Sequence, residues 1–192
     1  MICLNAKREK ILKAAFELFI ERGFNATTTK EIANRSGVAE GLIFYYFKDK
    51  NELLTQLTKR LSFVGSMQET FKKFSHLNPL EALTQFGLLY LEFLYSNKNF
   101  LFFIWSPEMR RNQNVQSTVT ELLDSMSQKS ADLLEKLVSS SISSSQIKMG
   151  GEMFLSSILT YGLTRDRDAK DFDDGEYIKN LATLVINGLK NT

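Results

Sequence analysis

The sequence has one cysteine, one histidine, one tryptophan and two prolines among its 192 residues. A lone Cys3 excludes an internal disulfide and any zinc site built on several thiolates. His76 has no cysteine partner and no metal-ligand spacing around it, so no metal site is expected. Without a glycine-rich phosphate loop as well, nucleophilic and phosphoryl-transfer chemistry have no constellation to use. Neither a catalytic residue nor a cofactor is therefore expected, and the chain is not read as an enzyme. Asp166, Asp168, Asp171, Asp173, Asp174 and Glu176 lie close together, but without the ligand order and glycine of a calcium loop. They are read as a solvated loop, with Asp174 capping the last helix. The most apolar stretch, residues 86–105, is broken by Glu92, Asn97, Lys98 and Asn99. It falls short of the ~20 apolar residues of a membrane span. The first eight residues become charged too early for a secretory signal, so the cytoplasm is the expected compartment and no membrane partner is expected.

Phenylalanine is abundant, with 15 copies, and hydrophobic residues make up 43% of the chain, enough for a sizeable core. Net charge is only +2, but residues 1–60 hold 11 Lys and Arg against 7 Asp and Glu. The front third is basic and the remainder is not, a hint of a head that faces nucleic acid. Helical periodicity runs nearly throughout. Over residues 7–22, Ile11, Leu12, Ala15, Phe16 and Phe19 share one stripe, and Gly23 stands where a left-handed cap is needed. Thr28 and Glu31 have capping-box spacing ahead of a short helix that ends at Ser36-Gly37. A second short helix spans 39–47, and Asp49 or Asn51 caps a third, with room to continue past Phe71. Pro79 opens a helix to about Ser96, followed by a short apolar piece over 100–105. Helices over 116–139, 147–164 and 175–190 complete an all-α fold of about nine helices, with a serine-rich loop at 139–145.

Residues 28–50 carry the functional signal. Two helices this short are unstable alone and must pack on their neighbours. Ala33 supplies the small residue where they cross, Gly37 the turn, and Ile32, Val38, Ile43 and Phe47 an inward face. This is the pattern of a helix–turn–helix, whose second helix enters the DNA major groove. An ordinary helical hairpin is the alternative.

The first 60 or so residues resemble the TetR family of bacterial transcription regulators. The resemblance lies in the run from Ile11 to Phe19, Gly23-Phe24, Thr27 to Ala33, Ser36 to Gly41, Ile43 to Phe47, and Lys50 to Leu54. It implies an N-terminal three-helix DNA-binding domain over 1–50, its helix–turn–helix region reaching about 5–65 with the start of the connecting helix. A helical effector-binding and dimerisation domain would occupy 51–192. It also implies roles on double-stranded operator DNA. Thr28 and Thr29 would hold a phosphate. Ala39, Glu40 and Gly41 would lie nearest the bases, and Phe44 and Tyr45 would face the groove. Tyr46, Lys48 and Lys50 would grip the backbone. Many relatives carry Lys where Glu40 stands, so Glu40 either accepts from a cytosine amino group or turns away to cap its helix. Phe44 as core and Lys50 as a solvated helix-start lysine are the bland alternatives.

Between residues 63 and 105 lie eight Phe, with Tyr90, Tyr95 and Trp105. Most are core. Together with the resemblance they make an effector pocket the expectation, for an apolar or aromatic small molecule. Candidate lining residues are Phe63, Met67, Phe86, Tyr90, Phe93, Trp105, Met109, Leu123, Met126, Phe154 and Tyr161. The last two helices carry more apolar surface than one contact face requires. Leu155, Ile158, Leu159 and Gly162, with Ile178, Leu181, Val185 and Leu189, are read as a two-fold homodimer interface, burial within one subunit being the alternative. The overall expectation is a ligand-released homodimeric repressor. The rival is a helical small-molecule-binding protein or enzyme whose head binds no DNA.

Overall fold

The computed structural model describes residues 2–60, 74–138, 141–165, 167 and 173–191. Among them stand eight α-helices and no strand: α1 (Ile2–Arg22), α2 (Thr29–Ser36), α3 (Glu40–Tyr46), α4 (Lys50–Arg60), α5 (Pro79–Ile104), α6 (Gln113–Glu135), α7 (Ser144–Thr164) and α8 (Asp174–Lys190). Short 3-10 turns occupy Phe74–His76 and Met109–Arg111. The all-α expectation is met. Phe63, Met67 and the continuation past Phe71 lie outside the described residues, as do Asp166, Asp168 and Asp171. Several boundaries differ from the sequence reading: α1 already begins at Ile2, and α6 spans Gln113–Glu135 rather than 116–139. The apolar piece at 100–105 belongs to α5, which departs from helical geometry at Asn97 (φ −122°, ψ 16°). Ser143 caps α7 three residues earlier than expected. Asp173, not Asp174, caps α8, accepting from the amides of Gly175 and Glu176. No described helix is long and apolar enough to cross a membrane.

Contacts group the chain into two compact units, Met1–Ser62 with Asn99–Thr120 and Phe63–Lys98 with Glu121–Thr192. That division differs from a single cut between residues 50 and 51. Packing explains why 99–120 joins the head: Phe100 stacks on Phe16 at 5.5 Å and Phe103 on Phe19 at 6.1 Å. Of the expected α1 stripe, Ile11, Leu12, Ala15 and Phe19 are fully buried and Phe16 is half-buried; Leu18, outside that set, is fully buried too, as are Ile32 of α2, Ile43 of α3 and Leu53 and Leu54 of α4. These contacts hold α2 and α3, eight and seven residues long, in a helical form that neither would keep alone.

Residues 23–27 join α1 to α2, and side chains from two distant segments fasten them. Gly23 (φ +84°) makes the left-handed exit from α1. The buried Thr27 hydroxyl sits 2.8 Å from the Gly23 carbonyl and 3.2 Å from that of Leu18. Lys50 donates from Nζ to the carbonyls of Phe24 and Thr27, both at 2.7 Å, and lies 4.4 Å over the Phe24 ring. Glu108, beyond α5, accepts from the amides of Phe24 and Asn25. Lys50 was expected to grip a phosphate; its ammonium instead binds the protein's own carbonyls. Burial pushes its pKa down, while Glu108 and Glu31 oppose the shift.

In the second unit, α5 crosses α7 and α8 at glycine. A Cβ on Gly87 would lie 2.6 Å from Ile178 Cγ2 and 2.8 Å from Phe154 Cζ, so only hydrogen fits. Gly162 meets Leu91 and Leu94 in the same way. Of the expected interface residues, Leu155, Ile158, Gly162, Ile178 and Leu189 are buried within their own subunit, and Leu159, Leu181 and Val185 are half-buried. Both helices are apolar on two faces, and periodicity alone does not say which face points inward. The outer face is lined by Met149, Met153 and Ser157 of α7 and by Leu181, Leu184, Val185, Gly188 and Leu189 of α8. It forms an open apolar groove of about 360 Å³, at which Leu184 is 69% exposed.

Asp174 serves as acceptor for two phenols, Tyr161 at 2.8 Å and Tyr95 at 3.3 Å. Burial first, and then the carboxylate, pushes Tyr161 up strongly and Tyr95 up to about 12; burial alone raises Tyr90. A phenol whose folded pKa is raised gives its full stabilisation below its unfolded value of ~10 and loses it as pH climbs toward the folded value. Lys50, lowered on folding, acts in the opposite direction. With three tyrosines against one lysine, the urea midpoint should fall from pH 10 to pH 12. Tyr95→Phe should show a smaller fall; a flat profile in the wild type would contradict this account.

Candidate nucleic-acid interface

The reading head is built from α2 and α3. Thr28 caps α2: its hydroxyl accepts from the Glu31 amide at 3.2 Å, and Glu31 Oε2 receives the Thr28 N–H and O–H at 2.9 Å each. Those bonds, reinforced by Arg22, hold the Glu31 carboxyl below its ordinary range. Gly37 ends α2 in the left-handed conformation (φ +68°), where its amide bonds back to Ala33 and Asn34. The short link then reaches Ala39, which caps α3 with no side-chain bond. Arg35 fixes α2 to α1 through a two-point contact with Glu21 (3.0 and 2.9 Å) and a second ion pair with Glu17. The guanidinium keeps the Glu21 carboxyl below its usual range.

α3 divides into two faces. Ile43, with Phe47 just past the helix end, is buried; Phe44 and Tyr45 are 54% and 72% exposed. Phe44 is therefore not core. Tyr46 is half-buried, its ring edge-on to Tyr45 at 5.1 Å. Gly41 is exposed, and a Cβ there would meet nothing of the protein within 4 Å, so the fold does not require glycine at that position. Lys48 is exposed, with its amide donating to Glu52. Lys30 is exposed on α2. The Thr29 hydroxyl donates to Glu40 Oε1, a bond between the first residues of α2 and α3 that no local sequence signal announces. With Thr28 and Thr29 both donating to carboxylates, an approaching phosphate meets hydroxyls whose protons already have acceptors.

The candidate effector residues fall in both units. Phe86, Tyr90, Met126, Phe154 and Tyr161 are buried in the second, where Phe93 is half-buried. Met109 is buried and Trp105 half-buried in the first. Leu123 is 41% exposed on α6, so it does not line an interior cavity. Tyr161 stacks on Tyr177 at 3.9 Å and borders an open hollow with Ser156, Thr160, Thr164 and Arg165. Among the described residues no group of three His, Cys, Asp or Glu is placed to hold a metal ion.

Comparison with known proteins places these features. Residues 11–57 match the family model for bacterial regulatory proteins of the tetR family. The HTH-type transcriptional regulator YvkB of Bacillus subtilis is 32% identical over 162 residues, 82% of each chain. The fatty acid metabolism regulator protein of Bacillus subtilis is 27% identical over 197 residues, 96% of each. Some matches cover only part of the chain: the repressor BepR of Brucella suis is 39% identical over 79 residues, 41% of this chain and 38% of its own length. Among solved structures, FadR from Bacillus subtilis in complex with stearoyl-CoA superposes with a TM-score of 0.70 at 21% identity, covering 94% of this chain and 98% of that one. With its capped α2, left-handed Gly37 and outward-facing aromatic α3, this chain belongs to the TetR family of helix–turn–helix transcription regulators.

Proposed function

We propose that the protein is a homodimeric repressor that a small apolar molecule releases from a near-palindromic operator, working in the cytoplasm with no chemical step of its own. The observation that carries this reading is the outward face of α3. Two large aromatic side chains stand exposed on a seven-residue helix that is anchored by the buried Ile43, with buried Phe47 just past its end. Solvent gives no reason to keep that face apolar, whereas thymine methyls and sugar edges in a major groove do. Gly41 leaves the backbone bare at the same end. Tyr46, Lys48 and Lys30 border this face, suited to phosphate contact beside the backbone amides that open α2. Lys50 is assigned to holding the 23–27 turn instead.

Two heads must be spaced ~34–36 Å apart to enter successive major grooves, which requires a two-fold pairing. The outer α7–α8 groove supplies the surface: two helices side by side, with methionines and leucines along it and Gly188 where a partner helix can approach. Paired across a two-fold axis they make a four-helix bundle. For the effector, an acyl-chain compound is the first choice. Two observations favour it: the aliphatic and aromatic interior around Phe86, Tyr90 and Phe154, and the fatty-acid regulator among the relatives that span the whole chain.

Fluorescence anisotropy against the chain's own upstream DNA tests the head. Phe44→Ala and Tyr45→Ala should each weaken operator binding at least tenfold and move stability by no more than ~0.5 kcal/mol, the usual range for exposed positions. Wild-type binding should weaken steeply as salt rises. Equal operator affinity in both variants would refute the assignment.

Leu184→Glu with Met153→Glu should leave a folded monomer by sedimentation, with operator binding lost. A dimer that persists would place the interface elsewhere. In a thermal-shift panel, long-chain fatty acids and acyl-CoA thioesters should raise the melting temperature and, at the same concentrations, dissociate the operator complex. If apolar aromatic compounds do so and acyl chains do not, the acyl assignment fails.

A further inference from the structure

Glu40 is the only formal charge on α3, and it is an acid on a surface proposed to meet DNA. It does not cap its own helix: Ala39 holds the cap position without a side-chain bond, and Glu40 Oε1 accepts from Thr29 Oγ1 of α2 at 2.5 Å. The carboxylate is thereby fixed in direction. Phe44 lies four residues on, one turn away on the same face, and Gly41 leaves the backbone between them open. The outer end of α3 thus offers an acceptor-only group beside an apolar ring.

A carboxylate accepts hydrogen bonds and donates none. In the major groove only cytosine N4 and adenine N6 donate; guanine and thymine present acceptors there. Adenine places its N7 acceptor beside the amino group, opposing the second carboxylate oxygen, whereas cytosine has a carbon-bound hydrogen beside its amino group. A phosphate would be repelled outright. We propose that Glu40, held by Thr29, selects one cytosine in each operator half-site by accepting a hydrogen bond from its N4 amino group. Thr29 is a positioning residue: its hydroxyl orders the carboxylate and not a phosphate. The inference rests on the DNA-binding reading above and adds the base that is read.

The test is selection from a randomised DNA pool by the purified full-length protein, comparing wild type with Glu40→Gln, Thr29→Val and Thr29→Ser. Helical content and melting temperature establish that each variant is folded. The wild type should favour C over other bases at one position per half-site, by roughly five- to a hundredfold. Glu40→Gln, which both donates and accepts, should move that position toward A. Thr29→Val should blur the preference and Thr29→Ser should retain it. A Glu40→Gln profile identical to the wild type overturns the base assignment. A Thr29→Val profile identical to the wild type overturns the positioning role. A wild type that enriches no sequence overturns the DNA-binding reading as well, which separates the two failures.

Discussion

The turn at residues 23–27 is the constraint on which the head depends. A seven-residue helix can present side chains accurately only if its supports are rigid, and α3 is supported by α2, whose entry is this turn. The chain fastens it from opposite sides: the Lys50 ammonium takes two carbonyls and the Glu108 carboxylate takes two amides. Each charged group therefore bonds backbone groups of a turn that lies outside the helices. The two also attract one another through the turn, since Glu108 raises the pKa that burial of Lys50 lowers. An ammonium with three protons suits the carbonyl side, and a carboxylate with four lone pairs suits the amide side. Exchanging their positions would leave every one of those backbone groups facing its own kind.

Part of the charge in the head is spent internally. Arg35 is paired with Glu17 and Glu21, Arg22 with Glu31, and Lys50 with backbone carbonyls. Lys7, Lys10, Lys13, Lys30 and Lys48 are exposed. What faces outward from α3 is aromatic and acidic, with Lys30 and Lys48 at its margins. On the reading proposed above, the lysines beside α3 supply phosphate contact, while α3 itself supplies shape, methyl contact and hydrogen bonding at base edges.

Local signals were legible in the sequence, and distant partnerships were not. The Thr28–Glu31 capping box, the left-handed Gly23 and Gly37 and the buried stripe of α1 follow from chemistry within a few residues, and all are present. The 84-residue separation between Phe24 and Glu108 left nothing to read in advance, nor did the Thr29–Glu40 bond between two helices. Lys50 shows the limit from the other direction. Its position suggested an outward cation, but the nearby carbonyls of Phe24 and Thr27 offered its ammonium better company than solvent. At the far end, α7 and α8 are apolar on two faces, and their periodicity fits either orientation. Only the close crossing at Gly87 decides that Ile158 and Ile178 turn inward.

That same crossing accounts for the character of the outer groove. With hydrogen at Gly87, α5 lies close to α7 and α8, and Phe154, Ile158 and Ile178 pack on the inner side. The apolar residues left over, Met149, Met153, Leu181, Leu184 and Val185, have no room within the subunit and must face outward. A monomer that exposed such a strip to water would lose the hydrophobic stabilisation it could gain by covering it and would tend to aggregate. On the pairing proposed above, a second copy of the same two helices would cover it, because a two-fold axis brings each apolar row against its own equivalent. Tight packing on one side of these helices and an uncovered strip on the other are therefore two results of a single arrangement. The small residue that closes the core also fixes which face is left uncovered.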